Sequence, residues 1–548
     1  MKTSKNILLS SIVGLSLMFG TASCINDLDT VPLAKSEAVS GSTFTDKLDN
    51  YTSSIAKIYA GLAIGGNKGG EDDADIAGVD GGSQASFLRG LWNLQELASD
   101  EAHCCWGDAG VNDLNTLTWS SGNVFIKGLY YRFLYQIQLS NAFLRQTTDD
   151  LLNSRGVNDQ NKAIIKQYRA DARFHRALAY YYLLDMFRNV PFVTEENEIG
   201  TFPEQADANK IFSYIESELT SIENDMLDPF VGYDSSNYGR ATKAAVWTLL
   251  SRLYLNAETY VGTAKYTECI TYCKKVLSVG YSLEPVYANL FKADNEKSRE
   301  IIFPIRYEGA ETQTWGGMTF LVCSTVPSSM KNDINAQDAW QGNRARISLL
   351  NIFNNENNVD KDSRSNMLMV DKTESLEIVN PAMYPDNGIP VVKYVNKNSD
   401  GTNPASNMVW VDFPLFRLGE IYLTYAEAVL RGGQGGDKTT ALGYINELRK
   451  RAYTDKDLTE DELTKIASIS EGELTLPFIL DEKAREFFFE AQRRTDLVRF
   501  NLLTGGDYIW TWKGNIQAGR SVESIFNIYP LPSDEVGSNT NLKQNPGY

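Results

Sequence analysis

Residues 417–452 read RLGEIYLTYAEAVLRGGQGGDKTTALGYINELRKRA, and this stretch decides the fold. Residues 417–431 have the apolar spacing of a helix, Gly432, Gly433, Gly435 and Gly436 end it, and a second helix is expected over 440–452. The pattern recurs upstream. Residues 170–187 place Phe174, Ala177, Leu178, Tyr181 and Leu184 on one helical stripe. Residues 242–257 predict another helix, followed after a short polar break by a partner over Tyr266–Leu277. Small residues at Ala245, Ala257, Ala426 and Ala428 let neighbouring helices approach closely. A helix, a tight turn and a second amphipathic helix, about 34 residues in all, is the tetratricopeptide arrangement. The expected fold class is therefore mainly α, a tetratricopeptide-like helix-pair scaffold. Between the pairs, residues 60–125, 300–410 and 505–548 carry Gly, Asn, Asp, Trp and Pro with weak periodicity. Such long segments tend to hold function, so a large loop-rich ligand-binding face is expected there.

The first residues form a targeting segment. Lys2 and Lys5 accompany an uncharged apolar run over 7–20, too short for a permanent membrane span and suited to a secretory signal. Thr21, Ala22 and Ser23 lead to Cys24, an order that resembles the bacterial lipobox, in which the cysteine is lipidated and becomes the new N-terminus. Thr21 stands where leucine is usual in that motif, and the plainer alternative is an ordinary signal peptide with an incidental cysteine. The expected organisation is a signal peptide over 1–23, a lipid anchor and tether over 24–50, and one domain over 51–548.

Removing residues 1–23 takes the formal charge from −18 to −20, because two lysines and no acids are lost. That balance excludes nucleic acid, whose phosphates need neutralising, and it excludes a polybasic membrane contact. It fits a neutral ligand. The chain has 28 Tyr and 9 Trp, enough aromatic surface to stack on one. Cys104, Cys105, Cys269, Cys273 and Cys323 are an odd set, not a disulfide framework. Cys269 and Cys273 lie one helical turn apart and read as two buried thiols. With only His103 and His175, no zinc set assembles.

Several segments together carry a family resemblance. They are INDLD after Cys24, ARFHRALAYYYLLDMFRNVPFV at 172–193, GRATKAAVWTLLSRLYLNA at 239–257 and EIIFPIR at 300–306. PLFRLGEIYLTYAEA at 414–428, INELRKRA at 445–452, EKAREFFFEAQRRTDLVRF at 482–500, YPLP at 529–532 and the terminal QNPGY follow in order. The chain thereby resembles the RagB/SusD family of outer-membrane nutrient-binding lipoproteins, over nearly its whole mature length. The resemblance implies a lipid-anchored protein at the bacterial cell surface. It would hold a polysaccharide or oligosaccharide beside a SusC-like TonB-dependent transporter and deliver it without catalysis.

FLRGLWNLQELASDEAHCCW at 87–106, GGMTFLVCST at 316–325 and YIWTWKG at 508–514 look closest to the family's starch-binding founder. There an arc of aromatic rings follows the curve of an α-1,4-glucan. The matching positions here are Trp106, Trp315 and Trp340, with Arg89 as hydrogen-bonding partner, which implies starch or malto-oligosaccharide as ligand. All three tryptophans sit in turn-like polar contexts, where core packing explains a large ring less readily than it does for Trp247 on its helix stripe. Trp410, Trp510 and Trp512 read as core or as a weaker second site. Where the founder has an asparagine this chain has Ala109, leaving Asp108 or Asn112 to substitute. Trp315 replaces a tyrosine, and the 345–395 loop is shorter. Asp294, Glu296 and Asp412 match acidic positions near the founder's metal, which implies a structural calcium site, with solvated loop carboxylates as the alternative; no cofactor is otherwise required. The acidic stretch at 71–82 lacks EF-hand spacing and reads as a loop.

No catalytic residue is expected. Glu486 and Glu490 suggest an acid pair, but Arg493, Arg494 and Arg499, read with Asp496 on the same helix, would keep both ionised. A glycosidase needs one protonated carboxyl. Asp185, Glu420 and Glu427 read as polar members of packed helices. The alternatives to starch capture are the same role for another polysaccharide, a protein-binding helical-repeat scaffold, and a surface glycosidase.

Overall fold

The computed structural model describes residues 44–548 except 67–73, 235, 311, 337, 357–360, 382–386, 405–407 and 454–457. The signal peptide, Cys24 and most of the tether lie outside the described residues. The folded body begins inside the span expected to be tether, because Phe44 is buried and helix α1 (Leu48–Ala63) follows it.

The chain is mainly helical, and the helices pair as expected. After α1 come α2 (Phe87–Trp92), α3 (Val124–Gln146), α4 (Asp159–Phe187), α5 (Ala208–Ile222), α6 (Lys243–Leu255) and α7 (Tyr266–Leu277). The C-terminal half adds α8 (Leu418–Leu430), α9 (Lys438–Ala452), α10 (Leu476–Phe487) and α11 (Arg493–Arg499). Asn123, Asn158, Asp207, Asp437 and Thr475 each accept a backbone N–H at the start of the helix that follows. Successive helices then stack: α3 on α4, α4 on α5, α6 on α7, α7 on α8 and α8 on α9. Ala245, Ala257, Ala426 and Ala428 are fully buried in these contacts. α4 begins well before the stripe at 170–187 predicted, because Asn158 caps it. Gly432 and Gly435, both at positive φ, separate α8 from α9.

Two expectations change. Residues 482–500 are not one helix: Phe489 (φ 63°) and Ala491 (φ 61°) reverse the chain between α10 and α11. Buried carboxylates hold that reversal, Glu101 accepting from the Phe489 N–H and Glu96 from the Gln492 N–H. The second change concerns residues 60–125, expected to be loop. Their middle is core, because α2 runs into a widened helical turn at Asn93–Leu97 and then a strand, all deeply buried.

The strands form short antiparallel ribbons. β1 (Ala102–Cys104) pairs with β3 (Asn343–Ala345), and β2 (Ile301–Ile305) with β4 (Phe413–Arg417). Behind them lies a buried ion cluster. Arg364, Lys393, Arg417, Arg449, Arg451 and Arg485 meet Glu300, Glu356, Asp362, Glu482, Glu486 and Glu490, so six cations face six carboxylates. The cluster ties the loop-rich middle of the chain to α10.

Candidate functional site

The β1–β3 ribbon builds the site. Its register sets Cys104 opposite Asn343, and the Cys105 N–H donates to the Gly342 carbonyl at 3.0 Å. Trp106 therefore emerges beside Trp340, and its Nε1–H donates to the Trp340 carbonyl at 3.3 Å. Gly342 makes this approach possible, since a Cβ there would overlap the Trp106 ring. A third segment closes on the ribbon. The Trp340 N–H donates to Cys323 at the end of the helical turn Met318–Cys323, at 2.7 Å, and the Asn343 N–H donates to Ser324 at 2.8 Å. The start of that segment is fixed to α2, where the Arg89 N–H donates to the Gly316 carbonyl at 3.0 Å.

These bonds bring Trp106, Trp315, Trp340 and Arg89 together. Trp315 and Trp340 have ring centroids 5.9 Å apart at 63°, and Trp106 and Trp340 are 6.4 Å apart at 52°. The Arg89 guanidinium lies 5.5 Å from the Trp106 ring and 4.5 Å from Phe320. All three tryptophans are half-buried, their inner edges on protein and the rest facing outward. Trp315, Trp340 and Arg89 line an open cavity of about 660 Å³, together with Thr319, Cys323, Lys331 and Asp338. Burial pushes the Cys323 thiol up to about 12, so it is an uncharged wall at neutral pH.

Two expected polar partners are placed elsewhere. Asp108 and Asn112 are exposed at the turn before and the start of the helix Val111–Thr116, and neither lines the cavity. Lys331 and Asp338 supply its charged rim instead. Thr319 and Cys323 fall inside the GGMTFLVCST segment and were within reach of the sequence. Lys331 and Asp338 sit in an aperiodic loop that gave no signal.

The remaining tryptophans serve packing. Trp510 is buried, Trp512 is half-buried and donates to the Ile378 carbonyl at 2.6 Å, and Trp410 is half-buried against Gly309. Trp247 is half-buried on the core with Lys275 above its ring. All five cysteines of the body are buried free thiols, including Cys269 and Cys273.

Asp294, Glu296 and Asp412 do not fit a calcium ion. Asp294 accepts from the Ser399 N–H, the Ser399 hydroxyl and Lys297. Asp412 is buried and accepts from the Tyr307 N–H at 2.7 Å. Ca²⁺ needs several converging anionic or carbonyl oxygens, and no group of three or more His, Cys, Asp or Glu side chains able to hold a metal occurs among the described residues.

Nor does the cavity hold a hydrolytic pair. Asp338 is its single carboxylate, whereas glycoside hydrolysis requires two flanking the scissile bond. Burial would raise Glu486, but Arg451, Arg417 and Arg364 outweigh it and hold the carboxyl at about 2. The arginines that do this come from distant segments, not from the 493–499 stretch. Arg493 pairs with Asp100, and Arg499 with Glu427 and Asp496. Glu420 pairs with Arg252, and Asp185 accepts from the Tyr260 and Thr495 hydroxyls. Of the carboxyls that burial does raise, among them Glu96 and Asp412 to about 7 and Asp171 to about 6, none lines the cavity.

Comparison with known proteins bears on this geometry. The profile of the SusD family matches residues 254–548, and one described as starch-binding and associating with the outer membrane matches residues 89–255. The chain is 35% identical to the starch-binding protein SusD of Bacteroides thetaiotaomicron, over 97% of each chain. It is 22% identical to SusD-like protein P2 of Formosa agariphila, over 81% of this chain and 85% of that one. Among solved structures, a SusD superfamily protein of Bacteroides thetaiotaomicron aligns with a TM-score of 0.68 at 19% identity, covering 91% of this chain and 100% of that one. Surface glycan-binding protein A of the same species, in complex with laminarihexaose, aligns with a TM-score of 0.65 at 21% identity, covering 91% and 99%. At those identities the two structures establish the shared fold.

Proposed function

This chain belongs to the SusD family, a family of glycan binders rather than enzymes, and from that premise we propose that it captures an α-glucan of the starch type in the tryptophan cavity. In this reading Cys24 carries the lipid that holds the protein on the outer surface of the outer membrane. A SusC-like TonB-dependent transporter takes the glycan onward, uncleaved.

The observation that carries the proposal is the mutual tilt of three half-exposed tryptophans, of which Trp315 and Trp340 line one open cavity and Trp106 stands beside Trp340. A pyranose offers an apolar C–H face and a rim of hydroxyls, so it stacks on an indole and is oriented by planar polar groups. Rings inclined to one another at 52° and 63° cannot all lie against a flat ribbon of sugars. They can follow a chain that curves, as α-1,4-linked glucose does. Arg89, beside Trp106, is placed to donate to sugar hydroxyls as the curve passes. The name of the relative that is 35% identical, a starch-binding protein, supports the same ligand.

Affinity electrophoresis through amylopectin, laminarin and inulin tests the glycan class. Retardation is expected in amylopectin. Retardation by laminarin or inulin alone would overturn the α-glucan assignment and leave glycan capture standing.

A further inference from the structure

A second concave site shares no lining residue with the tryptophan cavity. It encloses about 380 Å³, within the range of small-ligand pockets. α1 supplies Tyr59, α4 supplies Tyr168, the segment before α6 supplies Tyr238 and Arg240, and the end of β2 leads into Arg306. Its floor is apolar, with Ile55 and Phe303 buried beneath the rings. Tyr307 packs near both sites. Its hydroxyl donates at 3.1 Å to the carbonyl of Ala63, which lines the second cleft. Gly317, next to the Trp315–Gly316 turn, lies so close that a Cβ would overlap the Tyr307 ring.

The polar groups of this cleft define the ligand it suits. Two guanidiniums lie over two of its rings, Arg240 at 5.2 Å from Tyr168 and Arg306 at 5.5 Å from Tyr238. Arg240 is paired with the buried Asp171 at 2.7 Å, and Arg306 lies near Asp412 and Glu296. A chain of net charge −18 also repels anions at longer range. What is left is an amphipathic surface: the half-exposed Tyr59 and Tyr168 over an apolar floor, edged by the planar N–H donors of Arg240 and Arg306. That combination complements a sugar ring, with its C–H face and hydroxyl rim.

We infer that this cleft is a second carbohydrate contact, taking one or two sugar units of the same glycan that occupies the tryptophan cavity; the inference rests on the glycan-capture reading. Two weak sites on one body raise the effective affinity for a long polymer that reaches both, without altering the affinity for a short one that fills a single site. Arg306 is exposed and Tyr168 half-buried, so both are open to substitution without removing core.

The test compares wild type, Arg306→Ala, Tyr168→Ala and the Trp106→Ala/Trp315→Ala/Trp340→Ala variant by affinity electrophoresis in amylopectin and by calorimetry with maltotriose. Thermal melts confirm folding. Arg306→Ala and Tyr168→Ala are expected to weaken amylopectin binding by about threefold or more and to leave maltotriose binding unchanged. The triple variant is expected to retain a weak amylopectin interaction that disappears when Arg306→Ala is added. Wild-type retardation by Arg306→Ala and Tyr168→Ala, with no residual binding in the triple variant, would overturn the second contact and leave the first intact. Absence of retardation in the wild type would overturn both.

Discussion

The ion cluster around Glu486 and the cavity around Trp340 are built on opposite terms. In the cluster every charge has a protein partner: Arg417 alone reaches Glu300, Glu486 and Glu490. Nothing there is left to offer a ligand. In the cavity the rings satisfy only part of their surface on protein, and the remainder faces outward. The cluster is assembled from residues that look catalytic in a sequence, and the cavity from residues that look like core. The residues richest in chemistry hold the fold, and those proposed to bind are the aromatic rings the fold leaves half covered.

Four experiments would break or sharpen this contrast. The largest effect is expected from Arg417→Ala. Removing it strands Glu486 and Glu490 in the interior, and loss of one partner of a buried pair costs about 3–5 kcal/mol. Chemical denaturation should show that loss, while any protein that remains folded keeps its glycan affinity. An equal loss of affinity at full stability would place the cluster in the site.

The next effect is pH dependence of stability. Burial raises Glu96 to about 7, above the ordinary 4.5, so the folded state holds a proton the unfolded chain has released. Stability is present below about pH 4.5 and falls as pH rises toward 7. The neighbouring Glu101 is also raised, by burial and then by Glu96, so the two titrate as a pair. Glu486, held at about 2, acts in the other direction: its stabilisation is present above the unfolded value near 4.5 and is lost as pH falls toward 2. Denaturation midpoints measured against pH should therefore peak in the mildly acidic range, and Glu96→Gln should flatten the alkaline limb. Indole rings do not titrate, so affinity for a neutral glycan should stay flat from about pH 5 to 8.

Trp340→Ala is expected to be third. Its ring touches both Trp106 and Trp315, and an aromatic anchor at the centre of a site is worth about 2 kcal/mol, or roughly thirtyfold in affinity. Calorimetry would read it, and a loss below threefold would show that the centre of the arc lies elsewhere. Gly342→Ala is the smallest. The new methyl displaces the Trp106 ring, and about 1 kcal/mol of affinity should go, some fivefold, with the melting temperature nearly unchanged.

Much of this was legible in the sequence, for identifiable reasons. Helix pairs announce themselves through spacing and glycine punctuation, as at Gly432 and Gly435. The meeting of Trp106, Trp315, Trp340 and Arg89 could be anticipated only through the family resemblance, since spacing alone cannot bring residues 89, 106, 315 and 340 together. The break at Phe489–Ala491 was hidden because positive φ at a phenylalanine and an alanine has no signature of its own. Glu96 and Glu101 enforce it from almost four hundred residues away in the chain. Lys331 and Asp338 escaped notice because exposed charges in an aperiodic loop resemble any solvated surface. Asp294, Glu296 and Asp412 failed as a metal set because serine, lysine and backbone donors take up Asp294 and Asp412, a fact of partners and not of spacing.

The central claim is that the three tryptophans hold the glycan and do little for the fold. Isothermal titration of maltoheptaose into wild type and into the Trp106→Ala/Trp315→Ala/Trp340→Ala variant, at matched folded concentration, tests it most directly. Saturable heat is expected from the wild type, and binding weaker by about a hundredfold or more from the variant. Equal affinity in the two proteins would contradict it.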